Sequence, residues 1–145
     1  MALPLQVTFD CADPDGLATF WAQALGYEKQ RPPEGYDSWR AFLADRGFPE
    51  DQWNSASAIN DPEGNGPRIY FQRVPEPKTA KNRVHLDVSA GGGHTIPSHE
   101  RQGRVNAAAE KLVGLGAEVV SRAEGHFGEY WVVMLDPEGN EFCVQ

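Results

Sequence analysis

The sequence predicts an α+β fold built from two successive βαβββ modules, and three observations carry that prediction. The pentapeptide Asp-Pro-Glu-Gly-Asn occurs at 61–65 and again at 136–140, each time beside runs of β-branched and aromatic residues. The alternating segment Gln6-Val-Thr-Phe-Asp10 is answered by Arg83-Val-His-Leu-Asp87, 77 residues later. The helical stripe Leu17, Phe20, Trp21, Ala24, Leu25 is answered by Val105, Ala108, Ala109, Leu112, Val113 at a displacement of 88, so the second module carries eleven extra residues before its helix.

Each element follows from local chemistry. Leu5 to Cys11 alternates apolar Leu5, Val7, Phe9 and Cys11 with polar Gln6, Thr8 and Asp10, a strand with one dry and one wet face. Asp13 caps a helix whose first position is Pro14 and which Gly26 ends. Tyr27 to Gln30 reads as a short strand. Asp37 or Ser38 caps a second, short helix carrying Trp39, Phe42 and Leu43 and stopped by Gly47. Ser55 to Asn60 and Arg68 to Val74 flank the first Asp-Pro-Glu-Gly-Asn turn, in which proline sets one φ while Gly and Asn tolerate a positive one.

Residues 76–81 read as a linker between module one, 1–75, and module two, 82–145, within one domain spanning 1–145. In module two, Arg83 to Val88 is a strand and Ala117 to Arg122 another, with Tyr130 to Val144 as the closing hairpin. The insert Gly91 to Arg101 is glycine-rich. It lacks the strand, G-x-G-x-x-G and immediate helix of a phosphate cradle, so a loop is expected.

Composition narrows the function classes. A chain of 145 residues, 40% hydrophobic, can bury a full core without disulfides. Its net charge of −8 argues against nucleic acid or an anionic membrane as partner, and no run approaches a membrane span. A basic leader is missing, so a cytoplasmic protein is expected. Cys11 and Cys143 have no metal-ligand spacing and are expected to behave as small buried hydrophobes.

The residues Cys11-Ala-Asp-Pro-Asp-Gly-Leu-Ala-Thr-Phe-Trp-Ala-Gln-Ala-Leu-Gly-Tyr27, the paired turns, Lys81-Asn-Arg-Val-His-Leu-Asp-Val88 and the terminal LDPEGNEFCVQ resemble the glyoxalase-like branch of the vicinal oxygen chelate superfamily, which also holds bleomycin-resistance proteins and extradiol dioxygenases. The resemblance implies two βαβββ modules curling into a half-barrel around one cleft, and a chain able to pair as a homodimer. It also implies four metal-binding positions, one on the first and one on the last strand of each module. Carried over, these fall at Gln6, Arg68, Arg83 and Cys143. A guanidinium cannot ligate a cation, and cysteine replaces the expected glutamate, so no residue is assigned as a metal ligand. A degraded set of His85, Gln6, Gln72 and Cys143 is the remaining route to a divalent ion.

The wet-face side chains then define the expected site: Gln6, Asp10, Tyr70, Gln72, Arg83, Asp87 and Cys143 to bind a small molecule, with Trp131 as a wall and His85 as the acid/base. His85 also fits a hydrogen-bonded strand residue. Arg83 suits either a substrate carboxylate or a neighbouring acid. Trp39 and Trp53 read as a lid or as packing for their own segment. His94, His99 and His126 are expected in loops. Two functions remain open: a protein that binds a small organic molecule without the usual metal set, and an enzyme of lyase, isomerase or dioxygenase type working through His85 or a nonstandard metal site.

Overall fold

The computed structural model describes all 145 residues, which form two compact units, Met1–Pro77 and Lys78–Gln145. Each holds a four-stranded mixed sheet and a long helix, so the fold is α+β with a βαβββ order in each unit.

The first unit runs β1 Val7–Cys11, α1 Pro14–Leu25, β2 Glu28–Lys29, α2 Trp39–Asp45, β3 Ala56–Asn60 and β4 Ile69–Arg73. A short 3-10 turn, Glu50–Gln52, follows α2. Its sheet is ordered β1-β4-β3-β2, with β1 parallel to β4 and the other pairs antiparallel. Asp13 caps α1 by accepting from the Gly16 N–H at 3.1 Å, and Gly26 closes the helix at φ 71°. Leu17, Phe20 and Trp21 bury against the dry face of the sheet, where Phe9 stacks on Phe71 at 5.3 Å and meets Trp21 at 5.4 Å. The opposite face carries Asp10, Tyr70 and Gln72, with Ala56 and Ala58 beside them in register. Ser38, one of two expected caps, starts α2 by accepting from the Ala41 N–H.

The second unit runs β5 Asp87–Val88, α3 Ser98–Gly114, β6 Glu118–Glu124, β7 Tyr130–Leu135 and β8 Glu141–Val144, with sheet order β5-β8-β7-β6. Val105, Ala109 and Leu112 of α3 pack with Val132, Met134, Phe142 and Val144 to form its core. A bulge in β6 between Val119 and Ser121 leaves Val120 exposed.

Several expectations fail here for identifiable reasons. The strand expected over 83–88 pairs only at Asp87–Val88, and Val84 is 80% exposed. Asp87 faces Cys143 in parallel register, which would set Arg83 against Gly139, inside the turn, where no ladder exists. The division between the two units, after Pro77, falls within the linker expected over 76–81, whose later residues are tied down. Glu141 accepts from the Asn82 N–H and from Lys78 Nζ, both at 2.9 Å, binding residues 78–82 to the second unit. The insert ends early, because Ser98 to Arg101 already form the first turn of α3 and place His99 on a helix. Val113 leaves the stripe and is 47% exposed. Only glycines take positive φ, so Asn140 serves its turn differently: its side-chain amide donates to the Asp136 carboxylate.

The Glu141 clamp gives a pH-dependent expectation. The Asn82 N–H first, then Lys78, hold its carboxyl down at about 2, from an ordinary 4.5. A depressed carboxyl stabilises the fold above its unfolded value and loses that contribution as pH falls toward the folded one. Urea midpoints should therefore drop less steeply in Glu141→Gln than in the parent chain between about pH 4.5 and about pH 2. Superimposable acid limbs would disprove the clamp.

Candidate functional site

The first unit holds a cavity of about 760 Å³ above the polar face of its sheet. The floor is Gln30, Ala56, Ala58, Arg68 and Tyr70, and the small alanines give it depth. The wall comes from the 39–55 segment, which contributes Trp39, Leu43, Phe48 and Trp53. Each indole N–H is bonded to a backbone carbonyl, Trp39 to Gln30 at 2.8 Å and Trp53 to Phe48 at 2.9 Å. That fixes both rings by their edges. The two tryptophans are thus cavity wall and segment packing at once.

Polar groups in this unit are arranged in pairs. Gln72 donates to Asp10 at 2.7 Å across the β1–β4 pair. Gln6 accepts from Arg68 Nη1 at 2.6 Å, and Gln30 Oε1 accepts from Arg68 Nε and Nη2 at 3.1 and 2.6 Å. The guanidinium lies 5.2 Å from the Tyr70 ring centroid. Asp13 accepts from Asn54 at 2.8 Å, and that bond with the Gly16 N–H lowers its pKa. Of the expected residues only Tyr70 lines this cavity, and Arg68, Trp39 and Trp53 join it. Arg68 falls on a carried-over metal position, where an arginine reads as a defect, so the sequence pattern gives it no binding role. Its signal was the run of wet-face positions 68, 70 and 72 beside an aromatic-rich segment.

The second unit holds a cavity of about 530 Å³, lined by His85, Asp87, His126, Phe127, Glu129, Trp131 and Cys143. Phe127 is 92% exposed there. His85 Nε2 lies 3.2 Å from Asp87 Oδ1, and one donor atom from each of His85, Asp87 and Cys143 lies within 4.8 Å of the others. Burial and then the adjacent Asp87 carboxylate raise the Cys143 thiol. Cys143 is therefore half-buried in a polar cluster, unlike Cys11, which is buried and donates to the Gln72 carbonyl at 3.5 Å. Arg83 is exposed and lines neither cavity.

Nitrogen, oxygen and sulfur donors from His85, Asp87 and Cys143 would suit a borderline divalent ion such as zinc. Such an ion would favour the thiolate against its raised pKa, and would act there as a Lewis acid.

A family model described as "Glyoxalase-like domain" matches residues 6–145. The chain belongs to the glyoxalase-like domain family. No curated protein matches it in sequence. Solved structures of similar fold include a fosfomycin resistance protein of Listeria monocytogenes with Mn(II) and a dihydroxypropylphosphonic acid, at TM-score 0.64 and 16% identity over 100% of this chain and 92% of that one. A glyoxalase/bleomycin resistance protein/dioxygenase family enzyme of Burkholderia phytofirmans aligns at TM-score 0.62 and 14% identity, covering 96% and 94%. Lactoylglutathione lyase of Agrobacterium tumefaciens aligns at TM-score 0.57 and 12% identity, covering 99% and 92%. At such identities these likenesses show the fold of this glyoxalase-like domain and not its chemistry. No helix in it is long and apolar enough to cross a membrane.

Proposed function

We propose that this glyoxalase-like domain binds a small organic molecule with an aromatic or heteroaromatic ring, in the cavity of its first unit, without the family's usual metal set. The observation that supports it most is the wall of Trp39, Phe48 and Trp53 facing Tyr70 across about 760 Å³. That volume falls within the few hundred to about 1,000 Å³ typical of small-molecule sites. Both indoles are held before any ligand arrives, so little rotamer freedom is lost on binding. The carried-over metal positions weigh the same way, since Arg68 and Arg83 cannot ligate a cation.

Titration with naphthyl compounds, followed by tryptophan fluorescence and calorimetry, tests this reading. Saturable binding is expected, weakened about tenfold by Trp53→Ala as one stacking face is lost. Absence of binding by every naphthyl compound, or equal affinity in Trp53→Ala, would refute it.

The cluster in the second unit favours a second reading, an enzyme using His85. Paired with Asp87, His85 can move a proton for a substrate in the smaller cavity. With Cys143 the pair can instead hold a divalent ion. Cobalt titration decides the metal version without any substrate: a thiolate-to-cobalt absorption band lost in Cys143→Ser supports it, and identical featureless spectra reject it.

A further inference from the structure

The geometry points to an anionic group on the ligand, seated on Arg68: the first unit's cavity selects aromatic acids over their neutral counterparts. This rests on that cavity being a ligand site, as proposed above, and adds the charge of what it takes.

The inference comes from following each charge that lines the cavity to its partner. Asp13 is bonded to the Gly16 N–H at the N-terminus of α1 and to Asn54. Asp15 pairs with Lys29 at 2.5 Å. Glu50 and Arg40 pair with each other at 3.5 Å, and Arg40 lies 5.0 Å from the Trp53 ring centroid. Arg68 alone among these faces no carboxylate. Its bonds go to the side-chain oxygens of Gln6 and Gln30, both neutral, and its plane lies near the Tyr70 ring.

Such an arrangement holds a guanidinium in place without neutralising it. Three of its five N–H groups are committed, which orients the group and leaves two donors for a bound molecule. A half-buried cation keeps its charge and gains when a carboxylate, sulfonate or phosphonate reaches it, because charge-assisted hydrogen bonds are about twice as strong as neutral ones. The indole walls then place the ring of the same molecule. The acids nearby, already bonded, do not compete for Arg68. The chain's net negative charge makes the selection informative, since the overall field alone would favour cations.

The test compares naphthoate, naphthamide and naphthylmethylamine, which share one ring system and differ in charge. The parent chain should bind naphthoate about tenfold or more tightly than naphthamide, with the amine weakest. In Arg68→Gln this preference should fall to about twofold or less. Arg104→Gln, which removes a cation of the second unit paired with Glu100, should retain it. Naphthamide binding as tightly as naphthoate to the parent chain would overturn the inference while leaving the cavity a binding site. That comparison needs no variant, so it stands even if Arg68→Gln fails to fold. A preference that survives Arg68→Gln would equally overturn it. Failure of all three probes would instead refute the binding reading itself.

Discussion

Replacing Trp21 with alanine is expected to lower the stability of the chain by about 3–5 kcal/mol, the range for removing a fully packed large aromatic side chain. Trp21 is 1% exposed and sits edge-on to Phe20 and tilted against Phe9, so its loss empties the space between α1 and the sheet of the first unit. Against a total of about 5–15 kcal/mol for a domain, such a loss takes a large share of the margin. Trp21→Phe should cost less than half as much, since it keeps a ring in place. Urea unfolding followed by far-UV circular dichroism measures both. A loss below about 1 kcal/mol for the alanine variant would mean that the ring does not fill the core.

Asp136→Ala is expected to cost about 2–3 kcal/mol, and Asp61→Ala clearly less, although both residues open the same pentapeptide. Asp136 is 3% exposed. Its carboxylate accepts from the backbone of Glu138 and Asn140 at 2.9 and 3.0 Å and from the Asn140 amide. Removing it strands donors that water reaches poorly. Asp61 accepts from Glu63, Asn65 and Gly66, and those three backbone bonds lower its pKa, but its turn is exposed and water can replace it. Equal midpoint shifts for the two variants would contradict this assignment.

These paired turns show how far residue patterns reach. Asp-Pro-Glu-Gly-Asn specified the same aspartate-bonded reversal twice, with Gly64 at φ 75° and Gly139 at φ 84°. The pattern also marked the capped helix from Pro14 and the closing strands β7 and β8, because caps, glycines and alternation act within a few residues of themselves. Arg83 and Arg68 show the limit. Both fell on carried-over metal positions, and nothing local distinguished them. Parallel register with β8 runs out before Arg83 and leaves it exposed, while Arg68 is drawn between Gln6 and Gln30, residues far apart in the chain.

The cluster of His85, Asp87 and Cys143 lies between these cases. Alternation put His85 and Asp87 on one face, and the parallel pairing of Asp87 with Cys143 brought the thiol beside them. Element type, turn chemistry, the repeat and the family were written in neighbouring residues, because propensity and capping are short-range effects. Which aspartate is buried, which arginine enters a cavity and which side chains face the tryptophans depended on strand register and packing. Those set dielectric, partner and exposure through contacts between residues tens of positions apart, which no local pattern encodes.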